Sequence, residues 1–584
     1  MTQRVPVRTR KLRIIAQDPA VRVAGQILTT TVEVPAEDLQ PGPWGCRVQV
    51  IDYDSSTGVL LKPLEDAPTE DGGFSDPFES ASDHTLLTNP QFHAQNVYAI
   101  VMLTLARFEH ALGRRIAWGF GGHQIKVAPH AFADANAFYS RRDEGLFFGY
   151  FPGSQGTVFA CLSHDVVVHE TTHALLDGLR ERYTDPSSPD QAGFHEGFAD
   201  VVALLSVFAI PEVVGLLVDR AAGVIDGRAS SRRVKAKTVT PEALRQSTLL
   251  ALAKEMGQEM AEVRGAALRQ SATLTPSTKY KDEEEFQEAH RRGELLVAPM
   301  MNAFIEVWSG RLEALIQKAT GDLDRDRVVE EGAAAADYLL TMAIRALDYS
   351  MPVHMDYRDY LSAILTADRE IRPDDSKYRF RDHLRASFKA YGFEASAVEG
   401  ADEPGIWLPP KEDLAVWPKG KFTNAGIHFE GLTRDPEEVF RFIWQNRRAL
   451  GVVEGAYTRV LSVRPCVRVG SDGFLLRETV AEYIQIIELE ARELPRMKIE
   501  IPEGMPKDTM VTLYGGAALV FDEFGRVKFS INNRLSHHVR QTNRLKYLWQ
   551  YGFFDRGATQ LRRFSQLHRM RAGAMDGAVR EEWH

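Results

Sequence analysis

One stretch constrains the fold of this chain more than any other, the apolar segment VVVHETTHALL that starts at Val166. It carries two histidines four residues apart, His169 and His173, with Glu170 directly after the first. On an α-helix, residues i and i+4 lie on the same face, so both imidazoles can reach one metal ion. A helix this apolar is normally buried, and buried polar side chains need a compensating role. We therefore predict a buried metal-binding helix.

A second segment, AGFHEGFADVV from Ala192, supplies the remaining ligand. Catalytic zinc usually takes three protein ligands and leaves a fourth position open. Glu196 begins another apolar, helix-like run and is the expected third ligand, while Asp200, one turn later, is placed to hold the second nitrogen of a ligand histidine. His195 is expected to point off the ligand face and is left out of the set. The two segments together predict one zinc ion per chain.

The composition is that of an ordinary globular protein. The 584 residues are enough for two to four domains. A net charge of −10 argues against a nucleic-acid partner. No apolar stretch has the length to span a membrane, so no membrane partner is expected. Because no signal-like apolar run follows the basic N-terminus, the sequence predicts a cytoplasmic protein.

The cysteines and the remaining histidines show no further ligand pattern. Cys46, Cys161 and Cys466 lie far apart and form no metal-type pair, so reduced thiols are expected. A further set of histidines shows no ligand spacing, which favours ordinary core or surface roles: His84, His93, His110, His123, His130, His164, His537 and His538.

Local patterns predict an α+β chain. Residues 10–65 are rich in strand-forming residues separated by turn signals. Helical periodicity then covers, in chain order, residues 92–113, 211–275, 283–319 as two helices around Pro299, 326–348, 357–370 and 378–393.

The character of the sequence changes after Gly392. Residues 400–420 read as a linker rich in Pro, Trp and Gly. Beyond it, helices are predicted at 435–450 and 476–494, and strands at MVTLYGGAALVFD and RVKFSIN, which a turn at 523–525 joins. The predicted domains are a β-rich segment at 1–85, a metal-binding domain at 86–395, and a C-terminal α+β domain at 420–584.

Over about residues 90–393, these features resemble the thermolysin family of zinc metallopeptidases, the gluzincins. The segment NAFY at 136–139, followed by GLFFGYF, resembles the edge strand over which that family's substrates lie. Tyr183 matches the family's transition-state tyrosine to within one residue. The segment GAALR, which ends at Arg269, resembles the segment with the substrate-binding arginine. The segment that starts at His290 resembles the one with the second catalytic histidine.

The resemblance implies a two-lobed catalytic core, with a β-rich N-terminal lobe, a helical C-terminal lobe and the metal helix between them, followed by an added C-terminal domain. It implies hydrolysis of peptide bonds by a zinc-bound water that Glu170 activates. Tyr183 and His290 would stabilise the oxyanion, and Glu285 is the expected carboxylate partner of His290. The residues implied to bind a peptide or protein substrate are Asn136, Ala137 and Arg269.

The chain departs from that family in two respects. Neither a signal nor a pro-segment is evident in the sequence. The position seven residues past Asp200, acidic in calcium-binding members, is Val207. Since Ca²⁺ needs several oxygen ligands, calcium is not an expected cofactor.

Other functions remain open on the sequence alone. The same site could serve a dedicated amidohydrolase or a maturation peptidase that acts on one modified peptide or protein. A non-catalytic binding protein that retains zinc is a second alternative, against which Glu170 argues because it has no ligand role. A zinc aminopeptidase is less favoured, since no GxMEN segment is present to hold a free amino terminus.

Overall fold

The computed structural model describes residues 9–65, 74–154, 156–185, 187–224, 232–246, 274–316, 322–395, 401–409, 428, 430–469, 473 and 475–554. These residues form a mixed α+β fold, as predicted. The α-helices are α1 (Asp83–Thr88), α2 (Pro90–Leu112), α3 (His164–Leu179), α4 (Pro189–Phe208), α5 (Pro211–Ala221), α6 (Ala289–Ile316), α7 (Arg325–Arg345), α8 (Tyr357–Ile371), α9 (Phe380–Ala390), α10 (Pro436–Gln445), α11 (Arg447–Leu450) and α12 (His538–Gln550). The strands are β1 (Thr9–Ile15), β2 (Arg22–Val23), β3 (Gln26–Ile27), β4 (Thr29–Pro35), β5 (Val48–Val50), β6 (Tyr53–Asp54), β7 (Val59–Leu60), β8 (Ile125–Phe132), β9 (Ala137–Ser140), β10 (Gly145–Gly153), β11 (Gly156–Phe159), β12 (Arg233–Lys235), β13 (Asp322–Asp324), β14 (Tyr457–Val469), β15 (Leu475–Glu490), β16 (Met510–Asp522) and β17 (Val527–Asn533).

A five-stranded sheet precedes α3, the helix that carries His169 and His173, in the chain. Strands β5, β8 and β10 run parallel, and β9 and β11 pair antiparallel with β10. Parallel neighbours need a crossover, and α2 provides it between β5 and β8. Asn89 caps α2 through its side chain, Pro90 occupies the first turn, and Gly113 ends the helix in the left-handed conformation, which glycine adopts without strain.

Two buried helices, α3 and α4, lie side by side behind the sheet, and α4 also packs along α6. Two helices were predicted around Pro299, but α6 runs through it without a break. A proline inside a helix costs about 3 kcal/mol or more. The side chains on both sides of Pro299, from Leu295 to Phe304, are mostly buried in the main core, and this packing offsets that cost. Residues 233–235, predicted as helix, form β12, which pairs with β13.

The C-terminal part is a four-stranded antiparallel sheet in the order β14-β15-β16-β17. The helix predicted at 476–494 is wrong, because residues 475–490 are strand β15, which pairs on both sides with β14 and β16. Two neighbours satisfy its backbone, and its β-branched residues suit a pleated, buried surface. The predicted strands β16 and β17 are confirmed, and Gly525 lies in the left-handed conformation in the turn between them.

This sheet docks on the helical half through buried charged groups. Asp348 receives bonds from Arg114, at 2.6 Å, and from Arg468, with all three side chains almost fully buried. Arg180, the residue at the end of α3, pairs with Glu482 of β15. Val480, Ala518, Phe529 and other residues of the sheet belong to the main hydrophobic core. The C-terminal sheet therefore shares the core of the metal-binding part.

The helices were also compared with the dimensions of a lipid bilayer. No single helix in the described part of the chain is both long and apolar enough to cross a membrane; only the sharply bent pair α4 and α5 reaches those limits together.

Candidate metal centre

The three predicted ligands meet between α3 and α4. His169 and His173 lie one turn apart on α3, and Glu196 faces them from α4. The Glu196 Oε2 atom is 3.6 Å from His169 Nε2 and 3.8 Å from His173 Nε2. One ligand atom from each residue lies within 4.8 Å of those of the other two. This is the spacing at which three side chains can share one ion.

The residues fit a zinc ion by their chemistry as well as their spacing. The Nε2 atom of His169 is buried and makes no hydrogen bond to any residue of the described chain, although an imidazole nitrogen in such a place normally has a partner. Two imidazoles and one carboxylate form a donor set that zinc prefers, with a fourth position left open. These donors therefore fit a zinc ion in type and in number.

The second nitrogen of each ligand histidine is held by another side chain. Asp200 Oδ1 lies 2.6 Å from His169 Nδ1, in the place predicted for a carboxylate that orients a ligand. His195 Nδ1 lies 2.7 Å from His173 Nδ1, and the two rings stack 4.8 Å apart. With the other nitrogens turned outward, both Nε2 atoms face Glu196.

Sequence reasoning missed His195. Its position next to Glu196 rotates its side chain about 100° away from the ligand face, and for that reason it was excluded as a ligand. A residue that orients a ligand does not have to lie on the ligand face, and the same rotation brings its ring against the flank of His173. The sequence feature that could have indicated this role is a polar residue directly before a metal ligand in a buried helix.

Glu170 lies fully buried on α3, outside the ligand set. Its Oε2 atom accepts a hydrogen bond of 2.9 Å from the backbone N–H of Tyr139 on β9. The carboxylate thus connects the metal-binding helix to the neighbouring strand, and this contact fixes its direction. A buried carboxylate held beside two histidine ligands is positioned to exchange a proton with a group at the open position.

Strand β9, which begins at Ala137 directly after Asn136, runs beside α3. The backbone oxygen of Asn136 accepts from Gly149 N at 2.8 Å, on the side of β10. The N–H of Ala137 donates to the Asn136 side chain at 2.9 Å. Backbone N–H and C=O groups of successive residues in a strand point to alternate edges. The backbone groups of Ala137 and Tyr139 therefore share the edge that faces Glu170. The backbone N–H groups of these two residues thus lie on the edge of β9 nearer α3, whereas the backbone oxygen of Asn136 is directed towards β10.

His290 reaches the site from the start of α6. Its Nε2 atom lies 3.5 Å from Glu196 Oε2, and its side chain is 25% exposed. Its Nδ1 atom lies 2.9 Å from Glu288 Oε1. The predicted partner, Glu285, pairs instead with Arg291 at 2.6 Å, so that assignment is wrong. Residues 284–287 form a 3₁₀ turn, which alters the register that position alone had suggested.

Tyr183 does not reach the ligand group. It lies in a 3₁₀ turn after α3, is fully buried, and its hydroxyl donates to the Met351 carbonyl at 2.6 Å. Burial raises the pKa of this phenol above its usual value. The ring also packs edge-on against Phe194. A hydroxyl engaged in this way serves the core, and the oxyanion role expected for Tyr183 does not fit its position.

Arg269, the remaining predicted substrate-binding residue, lies outside the described residues. The structure therefore brings together His169, Glu170, His173, Glu196, Asp200 and His290, adds His195 and Glu288, and sets Tyr183 apart.

The sequence was compared with known proteins after the site had been defined. No protein-family model matches the chain, and no curated protein matches it.

Proposed function

We propose that this protein is a zinc-dependent metallopeptidase with a thermolysin-like active site. The observation that carries the proposal is the position of Glu170. It lies on the helix that provides two ligands, outside the ligand set, and bonded to the strand on the metal side of the sheet. A site that only stored zinc would have no use for a buried carboxylate at this place.

Zinc bound by His169, His173 and Glu196 would supply Lewis-acid chemistry and lower the pKa of a water towards about 7. Glu170 is placed to take the proton of the attacking water and to deliver it to the leaving amine. His290, held by Glu288, is placed to donate from Nε2 to the oxyanion. Asp200 and His195 keep the ligand rings in the required orientation.

The proposed substrate is an extended peptide that adds to the outer edge of β9. Ala137 and Tyr139 direct their backbone groups to this edge, and pairing there would lay the peptide across the face of the metal centre. The Asn136 side chain, which now accepts from Ala137 N, would exchange that bond for one to the substrate. Backbone pairing gives affinity without strict side-chain requirements, which suits an endopeptidase.

The finer architecture is part of the same proposal. The sheet of β5 and β8–β11 would form the N-terminal lobe, and α4 with the helices after it the C-terminal lobe, with α3 between them. The position of β9 beside α3 and of α6 across α4 supports this arrangement.

The proposal is tested by metal analysis and a peptide-library cleavage assay on the full chain. We expect about one zinc per chain bound by these three ligands. Glu170→Gln should keep that zinc and lose about 10²–10⁴ in turnover rate, the range that general acid–base catalysis typically contributes. Glu181→Gln, an exposed carboxylate just beyond the same helix, is the matched control and should cleave normally. Full activity of Glu170→Gln would refute the mechanism.

A narrower function has one observation in its favour. Glu170 is 0% exposed and both ligand histidines are 4% exposed, so access to the centre within the described chain is restricted. This enclosure favours a dedicated amidohydrolase or a maturation peptidase that acts on one partner. Cleavage of many library peptides would exclude it, whereas a zinc-loaded protein that cleaves none of them and still hydrolyses one natural substrate would support it.

A further inference from the structure

A second cluster of ligand-type side chains lies close to the start of α3. His93 comes from α2, His130 from β8, and Cys161 from the 3₁₀ turn Ala160–Leu162, directly before the metal-binding helix. All three are buried, at 1%, 4% and 0% exposure. One ligand atom from each lies within 4.8 Å of those of the other two.

The hydrogen bonds of the two histidines fix where their protons lie. His93 Nε2 is 3.2 Å from the Leu86 carbonyl, which can only accept, so this nitrogen carries the hydrogen. His130 Nδ1 is 2.9 Å from both oxygens of Asp52, and a carboxylate likewise accepts. When both rings are neutral, the remaining atoms, His93 Nδ1 and His130 Nε2, are lone pairs.

These two lone pairs face each other across 2.8 Å. Two acceptors at that distance require a cation between them, either a proton or a metal ion. Because the Leu86 carbonyl holds the proton of His93 on Nε2, the Nδ1 atom of this ring is the lone pair that faces His130. Cys161 adds a sulfur to the same group of atoms.

We propose that His93 Nδ1, His130 Nε2 and the Cys161 thiolate form a second, structural zinc site. Imidazole and thiolate are the ligands that zinc prefers in structural sites, and a water completes four positions. Asp52 and the Leu86 carbonyl hold the second nitrogens, as is usual for metal-binding histidines. Tetrahedral zinc separates two nitrogen ligands by about 3.3 Å, so the rings move apart by about half an ångström.

The charges and protons of this site balance. The ion contributes +2, and the thiolate and the Asp52 carboxylate contribute −1 each, so the buried group is neutral overall. Binding releases two protons, one from between the two rings and one from the thiol. The thiol loses its proton when the ion binds, because the thiolate is the form of cysteine that coordinates a metal.

The position of the site assigns its role. It ties α2, β8 and the turn at Cys161 together three residues before α3 begins. Asn96 of α2 already donates to the Cys161 carbonyl at 3.0 Å, and Phe159 packs against both rings. The ion would therefore anchor the start of the catalytic helix without contact with a substrate.

The competing structure has a proton in place of the ion, with His130 as an imidazolium paired to Asp52. Both structures are electrically neutral and both fit the 2.8 Å contact. They differ in metal content and in the state of the sulfur, and both quantities can be measured.

The test uses the full chain, stripped of metal and loaded with Co²⁺ alone. A cobalt–thiolate bond gives a charge-transfer absorption in the near ultraviolet, and the predicted catalytic ligands include no sulfur. We expect two cobalt ions per chain and this absorption. Cys161→Ser and His130→Ala should each remove it, the second while every thiol remains. Cys466→Ser, at another buried free thiol, is the matched control and should retain it.

One further variant tests the two proposed metal sites independently of each other. His173→Ala should lose one cobalt and keep the thiolate absorption, so a failure of the proposed catalytic site leaves this result intact. Absence of the absorption in folded wild-type protein, or its survival in Cys161→Ser, overturns the proposal in favour of the proton-bridged pair. Circular dichroism of each variant shows that it is folded.

Discussion

The structure contains two buried histidine clusters, and they differ in the side chains that surround their ligands. In the first, His169 and His173 meet a carboxylate, and His290 reaches the cluster from a partly exposed position. In the second, His93 and His130 meet a thiol, and all three side chains are buried.

The comparison teaches that the ligands alone do not decide the chemistry. Both clusters hold their histidines by the second nitrogen, through Asp200 in one and Asp52 in the other. Among the described residues, the first cluster also has the buried carboxylate of Glu170 on the helix of its histidines, and His290 Nε2 lies 3.5 Å from Glu196 Oε2. A cluster with a base and a hydrogen-bond donor beside its ligands is suited to catalysis, and a cluster with nitrogen and sulfur ligands is suited to a structural role.

The largest expected effects are on metal content and peptide cleavage, and they come from the removal of one ligand from each cluster. His173→Ala should lose the catalytic zinc and reduce peptide cleavage below detection, because water activation depends on that ion. Cys161→Ser should lose the second ion and keep the first. Metal analysis by mass spectrometry and a cleavage assay measure both. If either variant lost both ions while it remained folded, the two sites would not be independent.

The next effect concerns the donor that distinguishes the first cluster. His290→Ala should keep zinc and fold, and lower the turnover rate by about 10²–10³, the range for removal of one oxyanion donor. The loss should fall on kcat more than on KM, since the oxyanion exists only along the reaction path.

The partner of His290 provides a control for this effect. Glu288→Gln should also lower kcat, because Glu288 holds the ring at 2.9 Å, whereas Glu285→Gln should change little, because Glu285 pairs with Arg291. If His290→Ala turned over peptides at the wild-type rate, His290 would have no catalytic role and would be an ordinary surface histidine.

The sequence predicted the first cluster because its ligands follow local spacing. His169 and His173 lie on one turn of helix, and Glu196 with Asp200 on another, so helical periodicity is enough to group them. The second cluster gave no such signal. His93 and His130 are 37 positions apart and come from a helix and a strand, and only the tertiary fold brings them together.

The errors in the fold have a similar origin. Strand β15 carries Glu478 and Glu482, which resemble the polar face of a helix in the sequence. In the structure both are buried, and they pair with Arg468 of the neighbouring strand β14 and with Arg180 at the end of α3. A buried ion pair hides the alternation of a strand, because its charged members occupy core positions. Helix α2 shows the opposite case, where a long apolar run with caps at both ends was predicted correctly.

A smaller effect is expected from the carboxylates that orient the histidines. Asp200→Ala should weaken zinc binding at the first cluster by about 10–100-fold, the usual effect when such a partner is lost. Asp52→Ala should do the same at the second cluster only. Competition with a chelator of known affinity, followed separately for each ion, measures both. An equal effect of Asp200→Ala on both ions would show that the carboxylate acts through general stability.

The smallest expected effect is that of calcium, and it tests the donor chemistry of both clusters. Ca²⁺ takes six to eight oxygen ligands, whereas both clusters offer mainly nitrogen and sulfur. Val207 occupies a position that is acidic in calcium-binding members of the thermolysin family. Its side chain has no oxygen and is buried in the main core. A calcium-selective chelator should therefore leave the melting temperature of the zinc-loaded protein unchanged, while a zinc chelator should lower it by several degrees as bound metal is lost. A fall of many degrees with the calcium-selective chelator would contradict this prediction and point to an oxygen-rich calcium site elsewhere in the chain.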